Sequence, residues 1–68
     1  LVEKRWWLMN RIAQYRRAKG LTQEEAARAA GITLNAWYLI EHGKRTPTIA
    51  TARKIAAVLG VTIDELFA

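Results

Sequence analysis

The tightest constraint in this chain sits at residues 31–33. Thr22-Gln23-Glu24-Glu25 has the spacing of a capping box, with Thr22 as N-cap and Glu25 at N3, so a helix opens here. That helix is alanine-rich and stops at Gly31. One apolar residue, Ile32, separates the stop from Thr33, which is placed to cap the next helix. The next helix covers about Leu34 to His42 and is closed by Gly43. Glycine at position 31 takes a positive φ without steric penalty, so the two helices can turn within three residues and meet at a steep angle. Ala27 falls where they cross closely, and Ile32, Trp37 and Ile40 are expected to point inward.

The same punctuation divides the rest of the chain. A first helix is predicted from about Val2 to Ala18, with Leu8, Ile12 and Tyr15 as its buried stripe and Arg11, Arg16 and Arg17 off it. Gly20 ends it. Beyond Gly43 comes the loop Lys44-Arg45-Thr46-Pro47, whose proline disfavours helix at Thr46. Thr48 caps a fourth helix with the inward stripe Ile49, Ala52, Ile55, Ala56 and Leu59, ended by Gly60. Thr62-Ile63-Asp64-Glu65 is a second capping box, opening a short fifth helix that finishes with Leu66 and Phe67. The expected fold is all-α, five short helices around one core, in a single domain over residues 1–68.

At 68 residues there is no room for a second core, and the stability margin is thin. Zero cysteines and one histidine exclude zinc fingers, thiol redox chemistry and disulfide scaffolds, so no metal or cofactor is expected. No apolar run approaches the roughly 18 residues of a membrane span, and the charged N-terminus has no signal-peptide pattern. A cytoplasmic, nucleoid-associated location is the expectation for a natural protein.

Charge narrows the partner. Eleven Lys and Arg against six acids give a net charge of +5 and an isoelectric point near 10.3, which favours a polyanion. The excess is uneven: from His42 to Ile63 there is no acid, whereas Lys44, Arg45, Arg53 and Lys54 are present. The helices that open at Thr22 and Thr62 carry glutamate at N3, but the one that opens at Thr33 carries Ala36 there. Its first acid is Glu41, at the far end, and an uncapped, acid-free start suits an anionic ligand. His42 has no second ligand for a metal. Glu24 and Glu25 face different ways on a helix, so no paired-carboxylate catalysis is expected, and no small-molecule ligand.

Leu21-Thr22-Gln23-Glu24-Glu25, Gly31-Ile32-Thr33, the run Ile40 to Pro47 and the run Leu59 to Phe67 together resemble the phage-repressor/Cro-type (XRE-like) helix-turn-helix family, over about residues 8–67. The resemblance implies a lambda-repressor-like domain that binds double-stranded DNA without catalysis. It places the helix after Gly31 in the major groove, with Thr33, Leu34, Asn35, Tyr38 and Leu39 facing bases. It gives phosphate contacts to Thr22, Gln23, Lys44, Arg45 and Thr46, and an ion pair to Arg16 and Glu41. Members of the family often dimerise on palindromic sites, so a homodimer is open.

The chain departs from that pattern in two places. Ala26 and Ala30 replace larger aliphatics while Trp37 replaces a valine or isoleucine, which reads as volume compensation around a core indole. The alternative is an indole stacked on a base. Leu34, Tyr38 and Leu39 stand where Arg, Gln, Ser or Lys is usual, a departure that fits an engineered member of the family as well as a natural one. Their targets are thymine methyls in the major groove or, on the rival reading, a partner protein. Trp6 and Trp7 point about 100° apart on a helix, so one is expected to cover Leu66 and Phe67 and the other to be partly exposed, or to meet a second copy.

Overall fold

The computed structural model describes residues 6–67, and in them the chain forms five helices and no strand. These are α1 (Ile12–Ala18), α2 (Gln23–Ala30), α3 (Leu34–Glu41), α4 (Ile49–Leu59) and α5 (Ile63–Phe67). Helix α2 packs on both α3 and α4, and α5 closes against α4. Most of the buried side chains form one cluster, built from Ile12 of α1, Ala26, Ala27 and Ala30 of α2, Trp37 and Ile40 of α3, Ile55, Ala56 and Leu59 of α4 and Leu66 of α5.

The caps are where the sequence puts them. The Thr22 hydroxyl accepts from the Glu25 N–H at 3.0 Å, and the Glu25 carboxylate accepts from the Thr22 N–H at 2.9 Å. Thr62 and Glu65 repeat that exchange. Gly31 takes φ 72° as the last residue of the α2 turn, and the Ile32 N–H reaches back to the Ala27 carbonyl at 3.0 Å. This left-handed stop redirects the chain into α3 within the space of Ile32 and Thr33.

The first helix departs from its expected extent. Val2 to Arg5 lie outside the described residues, Trp6 to Met9 form a turn and a bend, and α1 begins only at Ile12. Asn10 is the reason. Its side-chain oxygen accepts from the Ile12 N–H at 3.1 Å, and its amide donates to the carbonyls of Trp7 at 2.9 Å and Ile40 at 3.1 Å. A side chain that bonds locally to backbone in this way competes with the helix and ends it. Leu8 is consequently exposed instead of buried, while Ile12 is fully buried and Tyr15 packs partly against the core. Trp6 stands edge-on to Phe67, with ring centroids 4.9 Å apart, and Trp7 is half-buried.

Three further details correct or sharpen the reading. Ile49 is 54% exposed, so the inward stripe of α4 starts at Ala52. As the first residue of its helix Ile49 lies beyond the core, lining an apolar hollow with Trp6, Ile63, Asp64 and Phe67. Gly43 is buried at φ 70°, and a Cβ there would overlap the Leu8 carbonyl oxygen. No other residue fits that position without moving backbone. Trp37 is fully buried among the small residues Ala26, Ala27 and Ala30, which is the compensation that its size demands.

Candidate nucleic-acid interface

The site begins with a carboxylate inside the protein. Glu41, at the end of α3, accepts from Arg16 Nε at 2.9 Å and Trp37 Nε1 at 2.8 Å on one oxygen. Its other oxygen accepts from Arg16 Nη2 at 3.2 Å and Gln23 Nε2 at 3.0 Å. Arg16 also donates through Nη1 to the Leu21 carbonyl at 2.8 Å. The Glu41 and Arg16 side chains are only 3% and 12% exposed. Burial alone would raise the Glu41 pKa; the donors from Arg16, Trp37 and Gln23, with the Arg16 charge, outweigh it and hold the carboxyl below its usual range. One carboxylate therefore fastens α1, α2 and α3 together, and it fixes Gln23 at the mouth of α2.

Gln23 opens onto the outer face of α3. Together with Leu34, Asn35 and Tyr38 it lines a shallow, open concavity between the two helices. Leu34 is 48% and Tyr38 39% exposed, large values for apolar and aromatic side chains. The Tyr38 ring rests on His42, one turn further along, with centroids 4.2 Å apart and planes tilted by 37°. Asn35 and Thr33 are exposed beside them.

The structure brings together Gln23, Leu34, Asn35 and Tyr38, but not every residue of the expected reading face. Leu39 is half-buried and lies outside the concavity. Thr33 does more than stand at the helix start: its hydroxyl accepts from the Ala36 N–H at 3.0 Å. The start of α3 is thus capped, as the place of Thr33 before the helix predicts, so of the uncapped, acid-free start only the second half holds: no acid lies in its first turn. A serine or threonine hydroxyl satisfies the end of a helix without adding charge, so the positive end of the dipole keeps its attraction for anions. Thr22 is more committed, since both its hydroxyl and its N–H serve the capping box.

Past α3, Lys44, Arg45 and Thr46 are exposed in the loop to α4, while Pro47 is buried and anchors the loop's end. The Lys44 N–H donates to the Leu39 carbonyl at 2.8 Å, which turns the chain sharply out of α3. Thr48 then caps α4 through the Thr51 N–H at 3.1 Å. Sequence reasoning missed the bond from Gln23 to Glu41, which no local pattern signals. It also missed the stacking of Tyr38 on His42, although their spacing of one helical turn was a usable sign.

Comparison with known proteins adds to this geometry. A family model described as helix-turn-helix matches residues 12–66. This chain belongs to the helix-turn-helix family. Among relatives of the helix-turn-helix chain, YazB of Bacillus subtilis, described as an uncharacterized HTH-type transcriptional regulator, is 43% identical over 56 residues, covering 82% of this chain and 81% of YazB. An uncharacterized HTH-type transcriptional regulator of Archaeoglobus fulgidus is 37% identical over 60 residues, covering 88% and 86%. The crystal structure of the restriction-modification controller protein C.AhdI from Aeromonas hydrophila superposes with a TM-score of 0.81 at 30% identity, covering 93% of this chain and 92% of that one. These relatives are regulators and not enzymes, and family membership supports DNA binding in general terms.

Proposed function

We propose that this helix-turn-helix domain binds double-stranded DNA sequence-specifically, with α3 in the major groove and the α2 start and the 44–46 loop on the backbone. The observation that carries the reading is the grouping of Gln23, Leu34, Asn35 and Tyr38 on one open face, on a helix followed directly by the exposed Lys44 and Arg45. Phosphate contacts hold the protein in register, and base edges select the sequence. Gln23, Lys44, Arg45 and Thr46 supply the first kind. Thr22 adds to them only through what its capping box leaves free. Thr33, Leu34, Asn35 and Tyr38 supply the second kind, and Leu39 supports them from a half-buried position. Asparagine has the donor and acceptor that match N7 and N6 of adenine, so Asn35 favours an A·T pair.

The exposed Leu34 and Tyr38 also favour a second reading, in which this face docks a protein. A salt titration separates the two. Each phosphate neutralised contributes about 0.9 to the slope of log affinity against log salt, whereas an apolar protein contact responds weakly. Selection from randomised duplexes followed by titration should therefore give a steep slope. Changing Lys44 and Arg45 together to alanine should reduce that slope by about 2 and weaken every duplex alike. A flat slope, or failure to enrich any duplex, would overturn the DNA reading.

A further inference from the structure

The walls of the concavity specify a ligand group more closely than "a base". Leu34 and Tyr38 present apolar surface to solvent, and Gln23 and Asn35 complete the lining. Two of the four walls are held rigidly from behind. Gln23 is bonded to Glu41 at 3.0 Å, and that carboxylate is itself held by Arg16 and Trp37. The Tyr38 ring is backed by His42 at 4.2 Å. A hollow whose walls are positioned before the ligand arrives loses less entropy on binding.

Almost every group on the floor of the major groove is a hydrogen-bond donor or acceptor; the apolar group that stands out there is the C5 methyl of thymine. Cytosine methylated at C5 carries the same methyl at the same place. Resting on the DNA reading above, we propose that the Leu34–Tyr38 concavity is a socket for the C5 methyl group of a 5-methylpyrimidine, so that it accepts 5-methylcytosine as well as thymine. The rim permits both. Asn35 reads its adenine on the neighbouring base pair, and the apolar Leu34 side chain and Tyr38 ring do not distinguish the O4 of thymine from the N4 amino group of cytosine. The socket thereby makes binding sensitive to cytosine methylation of the target, a covalent mark that leaves Watson–Crick pairing unchanged.

The test uses the best duplex from the randomised selection and measures affinity by fluorescence anisotropy at fixed salt. Each thymine is replaced in turn by uracil, which removes only the methyl, and each replaceable T·A pair by C·G and by 5-methylcytosine·G. At the socket position uracil should weaken binding about fourfold, and 5-methylcytosine should bind about fourfold tighter than cytosine, the ratio that burial of one methyl gives. Leu34→Ala should abolish both ratios while circular dichroism shows the helices intact, since Leu34 is exposed. His42→Ala should shrink both ratios and His42→Phe should restore them, because the backing of Tyr38 is aromatic. If duplexes bind but uracil and 5-methylcytosine are without effect at every position, the socket is refuted and the DNA reading stands. A methyl effect confined to thymine refutes the extension to 5-methylcytosine. If no duplex binds at all, the socket falls together with the reading it rests on.

Discussion

Replacing Glu41 by glutamine keeps the side chain's shape and removes its charge, and the structure says what that should cost. The carboxylate takes two bonds from Arg16 and one each from Trp37 and Gln23. Glutamine retains one oxygen and puts an amino group where two donors already point, so two of these four bonds become a donor facing a donor. Arg16 is left with the Leu21 carbonyl as a partner but no opposing charge. Removing one member of a buried pair costs about 3–5 kcal/mol, and the slight exposure of Arg16 places this pair at the lower end, about 3 kcal/mol. A domain of this size has roughly 3–10 kcal/mol in all, so the loss should be a large fraction of it. Urea unfolding of the wild type, Glu41→Gln, Arg16→Met and the double variant forms the cycle that isolates the coupling. Equal stability of Glu41→Gln and wild type, or a cycle without coupling energy, would refute the claim that this carboxylate fastens three helices.

Three more outcomes follow from the same structure. The Glu41 pKa is lowered on folding from its ordinary 4.5, so its contribution should be complete above that value and fade as pH falls through the lower folded value; unfolding curves of wild type and Glu41→Gln should converge there, and a constant gap down to strongly acid pH would contradict it. Gly43→Ala forces a left-handed backbone on a Cβ that meets the Leu8 carbonyl, so it should lose more than the roughly 1–3 kcal/mol of backbone strain alone; an unchanged melting temperature would show that this contact is unimportant. Asn35→Ala should relax discrimination at one base pair by about 1–3 kcal/mol while phosphate-driven binding persists, and an unaltered selected sequence would remove Asn35 from the reading face.

How far the sequence announces this structure depends on whether the relevant chemistry is local. Thr22 with Glu25, Thr62 with Glu65, and Gly31 before Thr33 are short patterns with one physical outcome, and helices α2, α3 and α5 start where these predict. Trp37 was legible through the two alanines that make room for it. The beginning of α1 was not, because an apolar period continues through Leu8 while the decisive act is Asn10 bonding to Ile40, thirty residues away. Ile49 keeps the period of its helix but stands at the end, where period no longer implies burial. The concavity was half legible. Leu34, Asn35 and Tyr38 share one helix, yet Gln23 joins them only because a distant carboxylate holds its amide.

The stitches around residues 8–11 bear on the order in which this chain assembles. The Asn10 amide holds the Ile40 carbonyl, the Arg11 N–H holds the Leu66 carbonyl at 2.7 Å, and the Leu8 carbonyl lies against Gly43. Each links the beginning of the described chain to points far along it, and such loops close at an entropic penalty that shorter-range helix pairs escape. Helices α2, α3 and α4 can therefore condense among themselves first, with the leading segment clasping the ends of α3 and α5 last. Contacts made last on the way in tend to open first on the way out. Release of that clasp would open the turn at Gly43 and the end of α5, while Glu41, held by Arg16, Gln23 and Trp37, keeps the last turn of α3 in place, so the groove-facing helix outlasts its clasp.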